Sequence, residues 1–324
     1  MKLPSELGIS VVIVNWNSRD DLDECLRSLA AQTDADFETI VVDNGSRDGS
    51  CERVRSDFPH VVLVDTGENL GFAEGMNRGI AAAAAPWIFA LNNDAVAAPD
   101  LVALLRARLG RARARDGMFQ PRILFRQHPE RTNSTGMLLF ADGTARDRDF
   151  DCPAEQSEEA GEIFCPTAGA ALYRRAMLDE VRLPSGYFDR SFFMYAEDLD
   201  LGWRCRLAGW AAHYLPEAKI YHAFQGSARR RGSSFVEQQC AKNRLRVLLK
   251  NASPGFILRS VPRTVGDVAR LAWAGGPAAL PRGWRAAKLA LAERTLVGAL
   301  ARAERGRIEQ EWSFARGDRR ISGR

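Results

Sequence analysis

Short apolar runs rich in β-branched residues alternate with segments of helical period through the first hundred residues, so the chain predicts repeated β-α units. Residues 9–14 predict a strand, and Asn17 or Ser18 is placed to cap a helix carrying Leu22, Leu26 and Leu29. Residues 39–42 predict a second strand, ending at Asp43-Asn44-Gly45-Ser46, and residues 61–64 a third, ending near Gly67. A helix over 72–85 leads into a fourth strand, 87–91, which ends at Asn92-Asn93-Asp94. Strands and helices at this pitch predict an α/β fold with a doubly wound, mostly parallel sheet covered on both faces. Ligands of such sheets lie beyond the carboxyl ends of the strands, which is where Asn15-Trp16-Asn17, Asp43 and Asn92 to Asp94 fall.

Past Leu101 the pattern loosens. Candidate strands occupy 118–125 and 135–140, and the polar segment 142–162 reads as a loop or insertion. An apolar stretch at 168–173 and a Gly-Tyr-Phe-Asp turn at 186–189 follow, then a helix over 197–208 closed by Gly209. From Phe235 onward the chain is helical and Arg-rich. Leu289, Leu296 and Leu300 share one helical face, which predicts an amphipathic surface helix.

Composition narrows the class. With 46% hydrophobic and 27% charged residues in 324, the chain is ordinary globular material, not disordered or fibrous. Its six cysteines show no C-x-x-C pair, and no secretory leader precedes them, so a reduced cytoplasmic protein is expected. No apolar run reaches a spanning length; the best, 271–281, is interrupted by Gly275, Gly276 and Pro277. A formal net charge of +4 hides an asymmetry: from Gly226 to Arg324 there are 21 Lys and Arg against 7 Asp and Glu, or +14, leaving −10 for the rest. A basic segment of that kind attracts phospholipid headgroups, nucleic acid or lipid diphosphates.

Four clusters carry candidate chemistry. Asp94, just after a buried strand, suits a divalent cation shared with substrate phosphates, although Asn92-Asn93-Asp94 also has the composition of a plain polar turn. Glu197-Asp198 opens a helix, where acids complement the dipole, and offers a general base for an acceptor hydroxyl. His222, near Arg229, Arg230 and Arg231, either hydrogen-bonds structurally or completes a metal and phosphate site. Asn69-Leu70-Gly71 to Gly79 opens a helix with small residues, Gly75 and Gly79 among them, that allow a ligand's approach or tight helix packing; it is not G-x-G-x-x-G, which excludes a nicotinamide or flavin site.

Taken in order, these segments resemble family 2 glycosyltransferases of the GT-A fold, in the branch of bacterial rhamnosyltransferase-like enzymes. The resemblance rests on Val11 to Asn17, Val41 to Ser46, Asn69 to Ala73, Leu91 to Asp94, Ala168-Gly169-Ala170 and Tyr195 to Leu201, and spans residues 8–250. It implies that Asp43 holds the donor's pyrimidine base with Trp16 stacked near it. Asn15, Asn69, Gly71, Asn77, Asn92 and Asn93 surround the nucleotide-sugar. Asp94 matches the last residue of the family's D-x-D metal motif, here with asparagines before it, so Mg2+ or Mn2+ is expected, with His222 as a further ligand. Asp198 matches the catalytic base, with Glu197 beside it, and Gly169, Arg229 and Arg230 fall toward the diphosphate or acceptor.

The domains implied are a GT-A catalytic unit over 1–233, with a nucleotide-binding half at 8–115 and an acceptor half at 116–233. A basic helical region over 234–324 follows. The expected activity is inverting transfer of a single sugar, rhamnose by resemblance, from a dTDP- or UDP-sugar to a lipid-linked saccharide in cell-wall or surface-polysaccharide synthesis. The expected location is the inner face of the plasma membrane, as a peripheral protein. Processive synthases of the family carry Q-x-x-R-W and spanning helices, and this sequence has neither. A non-catalytic sugar-nucleotide or carbohydrate-binding protein is the competing reading, against which stands the retention of both Asp94 and Asp198. A nucleic-acid partner is not expected, because the basic residues of the tail are interleaved with Leu, Val, Ala and Trp.

Overall fold

Alternate side chains of the first strand enter two different cores, and the rest of the architecture follows from that division. The computed structural model describes residues 8–223, 233–275 and 279–315. The predicted alternation forms β1 (Ile9–Asn15), α1 (Arg19–Ala30), β2 (Phe37–Asp43), α2 (Ser50–Asp57), β3 (Val62–Asp65), α3 (Gly71–Ala82) and β4 (Trp87–Asn92). Ile9, Val11 and Ile13 pack with Leu22, Leu26 and Leu29 of α1, on the sheet face that also receives Leu101 and Leu105. Val12 points the other way, to Ala73, Met76 and Ile80 of α3. A Cβ on Gly79 would stand 2.1 Å from Val12 Cγ1, and one on Gly75 2.8 Å from Val14 Cγ1, so both glycines bring α3 hard against β1.

The chain continues through β5 (Ala95–Ala97), α4 (Leu101–Leu109), β6 (Asp116–Phe125), β7 (Thr132–Ser134), β8 (Met137–Phe140), β9 (Ala145–Asp147) and β10 (Gly161–Glu162). Then come β11 (Ala170–Arg174), α5 (Arg175–Glu180), α6 (Glu197–Leu207) and β12 (Ala211–His222). The ten-stranded sheet runs β10-β12-β6-β11-β4-β1-β2-β3, with β5 on β12 and β7 on β6. β3, β2, β1 and β4 are mutually parallel, whereas β11 runs antiparallel to both β4 and β6. The strand predicted over 135–140 is broken at Thr135-Gly136, where Gly136 adopts φ +124°, sending β7 to the large sheet and β8 to a small one with β9 and β13 (Ser313–Phe314). The segment 142–162, expected as a loop, carries β9, a short 3-10 turn at Ala154–Ser157 and β10.

The last helices are α7 (Ser233–Asn251), α8 (Pro254–Gly275), α9 (Ala279–Leu300) and α10 (Arg305–Trp312). They build a third core on the outer face of α6: Leu199, Trp203 and Leu207 meet Val247, Leu248, Phe256, Val297 and Ile308. A buried ionic knot joins the same elements. Lys250 Nζ lies 2.5 Å from Asp189, 2.9 Å from Glu293 and 3.2 Å from Asp200 of α6, and is fully enclosed. Asp200 also receives Arg204 at 3.0 Å and Asn251 at 2.8 Å. Burial pushes the Asp189 carboxyl up, but the Lys250 charge together with hydrogen bonds from Lys250 and Ser191 outweighs it and leaves the group lowered to about 2. No helix among the described residues is long and apolar enough to cross a membrane.

Candidate active site

Register places the first functional side chains. Asn15 ends β1 beside Asp43, which ends β2, and Asn92 ends β4 opposite Val14. Asn15 donates to Asp43 Oδ2 at 3.0 Å and accepts from Asn93 at 2.8 Å. Ser46 N donates to Asp43 Oδ1 at 2.7 Å, and Asn17 N donates to Ser46 Oγ at 2.8 Å, so two strand-to-helix turns hold each other. Trp16 is half-buried at the start of the first turn.

Behind Asp43 lie Cys51 and Asp65, the three offering ligand atoms within 4.8 Å of one another. Burial pushes the Cys51 thiol up to about 12, assisted by the Asp43 charge, and the thiol donates to that carboxylate. In that arrangement the protonated thiol buttresses Asp43.

The second group forms where β4, β5 and β12 meet. Asp94 Oδ1 stands 2.9 Å from His222 Nε2, and His222 Nδ1 is 3.1 Å from Asn133 Oδ1 of β7. In the tautomer whose Nδ1–H donates to Asn133, the Nε2 lone pair is turned toward the carboxylate. The two acceptors would then fit a cation: ligands about 2.1 Å from an octahedral ion are about 3.0 Å apart along a shared edge. Imidazole with carboxylate favours Mn2+ over Mg2+. Asn92 Nδ2 lies 3.2 Å from the same nitrogen.

Asp198 supplies the third group, near the start of α6. Its Oδ2 accepts from Ala168 N at 3.1 Å and Thr167 Oγ1 at 3.3 Å, and its Oδ1 from Leu199 N at 2.8 Å. The neighbouring Gly169 carbonyl accepts from Asn92 N at 2.9 Å, which links the Asp198 segment to the end of β4. Burial pushes the Asp198 carboxyl up. Glu197 is raised much further, first by burial and then by the charge of Asp198, and its Oε2 has no hydrogen-bond partner.

Asp147 on β9, which the sequence reading passed over as loop, completes the cluster. It shares a hydrogen bond with Ser134 and feels the charges of both Asp198 and His222, while burial pushes it up to about 6.

The segment before α6 is unusual. Phe193, Tyr195 and Ala196 all adopt positive φ, 66°, 70° and 66°, where side chains other than glycine are rare. Asn243 of α7 braces it, its Nδ2 lying 3.0, 2.9 and 2.7 Å from the carbonyls of Phe192, Met194 and Tyr195. The helix period of α7 gave no sign of this role.

Other expected donor contacts have architectural partners. Gly71, at φ +82°, leaves room for Phe193, whose carbonyl a Cβ would approach to 2.5 Å; Asn69 Oδ1 accepts from Gly71 N at 3.0 Å. The Asn77 amide pairs with both backbone groups of Phe188, at 2.8 and 3.0 Å, on the far side of α3 from the cluster of Asp43 and Asn15. Arg229 and Arg230 lie outside the described residues.

Comparison with known proteins shows the family and the fold. The profile described as Glycosyl transferase family 2 matches residues 10–182, ending before Asp198. N-acetylglucosaminyl-diphospho-decaprenol L-rhamnosyltransferase of Mycobacterium tuberculosis (strain ATCC 25618 / H37Rv) is 30% identical over 237 residues, 66% of this chain and 75% of that protein. Poly-beta-1,6-N-acetyl-D-glucosamine synthase of Staphylococcus aureus (strain MW2) is 22% identical over 220 residues, 66% of this chain and 49% of that one. Two solved structures share the fold. GalNAc-T7 with UDP, GalNAc and Mn2+ gives a TM-score of 0.59 at 15% identity, over 77% of this chain and 49% of its own. The mannosyltransferase PcManGT from Pyrobaculum calidifontis, in complex with GDP-Man and Mn2+, gives 0.53 at 18% identity, over 94% and 87%. The architecture is the GT-A fold.

Proposed function

This chain belongs to glycosyltransferase family 2, and from that premise we propose that it transfers one sugar, with inversion, from a pyrimidine nucleotide-diphosphate donor to a lipid-linked saccharide at the cytoplasmic membrane surface. The observation that carries the proposal is the Asp198 carboxylate, fixed by Thr167 and Ala168 beside the end of β4 and within electrostatic reach of the same Asp147 that faces His222.

Two adjacent acids sort themselves by environment. Glu197 is the more deeply buried, and burial, then the charge of Asp198, raises its carboxyl, which disfavours a second negative charge beside Asp198. Asp198 is half-buried, keeps lone pairs free beyond its three hydrogen bonds, and is the base. As the acceptor O–H bond breaks, its proton passes to Asp198. The oxygen forms a bond to the anomeric carbon, and the carbon–oxygen bond to the diphosphate breaks with its electron pair leaving on the nucleotide. Asp43 and Asn15 hold the donor's base, and Asn92 and Asn93 lie toward its sugar. Asp94 and His222 would hold Mn2+ or Mg2+, which neutralises charge on the departing diphosphate when bound.

The donor we favour is dTDP-rhamnose, and the acceptor a polyprenyl-diphosphate-linked N-acetylglucosamine. This choice is supported by the activity for which the mycobacterial relative is named. Screening dTDP- and UDP-sugars for nucleoside-diphosphate release with such an acceptor tests the reading, with the product anomer assigned by NMR. It fails if no donor is turned over, or if the anomeric configuration is retained.

A further inference from the structure

The exposed surface of α8 is sorted into strips by its 3.6-residue period. Phe256, Ser260 and Asp267 are buried against the rest of the protein. Leu258, Val261, Val265 and Val268, spaced i, i+3, i+7 and i+10, form a continuous apolar line along another side; they are 72%, 42%, 61% and 41% exposed. Pro262 and Ala269 lie along the same line and are also exposed. On the opposite flank stand Arg259, Arg263 and Arg270. Asp267 pairs with Arg263 at 3.3 Å, with Arg270 at 3.0 Å and with Arg244 of α7 at 2.9 Å, so three guanidinium groups share one carboxylate and the edge keeps a positive excess.

From Leu258 to Val268 the line runs about 15 Å. A soluble helix ordinarily turns such a stripe inward, and α8 buries a different one. The next helix repeats the feature more weakly: Leu289 and Leu296 of α9, seven residues apart, are exposed, while Leu300 of the predicted face turns in toward the core.

We propose that the Leu258–Val261–Val265–Val268 stripe of α8 beds into the acyl boundary of an anionic phospholipid monolayer, with Arg259, Arg263 and Arg270 on the headgroups. The inference rests on the reading that the acceptor is membrane-borne. An apolar stripe bordered by cationic side chains is the chemistry of a helix lying in the interfacial plane. The +14 charge of residues 226–324 supplies the matching long-range attraction. The inserted helix stands one element away from the reaction: α7 binds α8 through Arg244, and through Asn243 it braces the segment that leads to Asp198.

The test is co-sedimentation of the full-length protein with vesicles of phosphatidylcholine containing phosphatidylglycerol, or of phosphatidylcholine alone. It compares wild type with Leu258→Ser/Val265→Ser and with Arg259→Gln/Arg263→Gln. All these positions are exposed, and circular dichroism melts confirm folding. Partition of the wild type into anionic vesicles is expected to drop about tenfold or more in the Leu/Val double variant. The Arg variant is expected to lose only the anionic-over-neutral preference. Equal sedimentation of wild type and the Leu/Val variant overturns the proposal. So does a wild type that ignores anionic vesicles, or one whose stripe proves to be a dimer contact, seen as a monomer by light scattering only after substitution. Transfer to the lipid-linked acceptor dispersed in detergent is measured in parallel. A stripe-dependent vesicle interaction without transfer sinks the acceptor assignment alone, and transfer with stripe-independent sedimentation sinks this inference alone.

Discussion

Asn243 donates to the carbonyl of Tyr195 at 2.7 Å, so a helix from the C-terminal region holds the backbone three residues before Asp198. Left-handed φ at Phe193, Tyr195 and Ala196 costs on the order of 1–3 kcal/mol each, and such strain persists only where surrounding structure enforces it. Asn243→Leu removes that enforcement. The expected result is a fall in kcat of roughly 10- to 100-fold with little change in donor KM, because displacing a catalytic group by about 1 Å has that effect. Steady-state kinetics checks it; a loss confined to thermal stability would show that the amide is only structural.

Removing the base has a sharper signature. Asp198→Asn is expected to lower kcat by about 10²–10⁴-fold while donor binding, read by isothermal titration with the nucleoside diphosphate, is retained. Because burial raises this carboxyl, the acid limb of kcat/KM in the wild type should lie above the ordinary aspartate range. A limb at or below that range contradicts the assignment.

Glu197 gives a stability prediction with the opposite pH trend from a salt-bridged acid. Its folded pKa is raised, so its contribution is complete below the unfolded value and is lost as pH climbs toward the folded one. Glu197→Gln has no proton to lose. The variant should therefore melt at a higher temperature than wild type by a margin that widens as pH rises above the ordinary glutamate range. A constant margin, measured by calorimetry, would refute the idea.

Asp94, His222 and Asn133 make a joint prediction about metal. Mn2+ binding, followed by electron paramagnetic resonance in the presence of nucleoside diphosphate, should be abolished by Asp94→Ala and strongly weakened by His222→Ala. Asn133→Ala should cost about 10- to 100-fold in affinity, since it frees the imidazole to rotate and change tautomer. Chelation should stop transfer in the wild type. Unchanged Mn2+ affinity in Asn133→Ala would reduce that residue to packing.

Lys250→Met leaves Asp189 and Asp200 charged without their enclosed partner. The expected loss is about 3–5 kcal/mol of unfolding free energy, measured by urea titration. Adding Glu293→Gln should not restore it, because the two aspartates remain.

Periodicity located the carboxyl ends of β1, β2 and β4, and with them Asn15, Asp43 and Asn92 to Asp94, since a buried parallel strand announces both itself and its end. Asp147, Ser134 and Asn133 were out of reach because β7 and β9 are three residues each, too short for any period, and their pairing is nonlocal. Asn243 was hidden for another reason: its partner Tyr195 lies 48 residues earlier, and an amide on a helix face carries no mark of what it will brace. Gly75 and Gly79 were open between ligand approach and packing, and their closeness to Val14 and Val12 answers for packing.

Strand β4 carries neighbours of opposite direction, parallel β1 on one edge and antiparallel β11 on the other. On the proposed mechanism, Asn15 and Asp43, which hold the base, hang from the first edge, and the attacking side hangs from the second through Ala168, Gly169 and α6. Rebuilding the acceptor side around α6 would leave the base-holding turns untouched. A single rigid seam would then let one lineage keep its fuel and change its target.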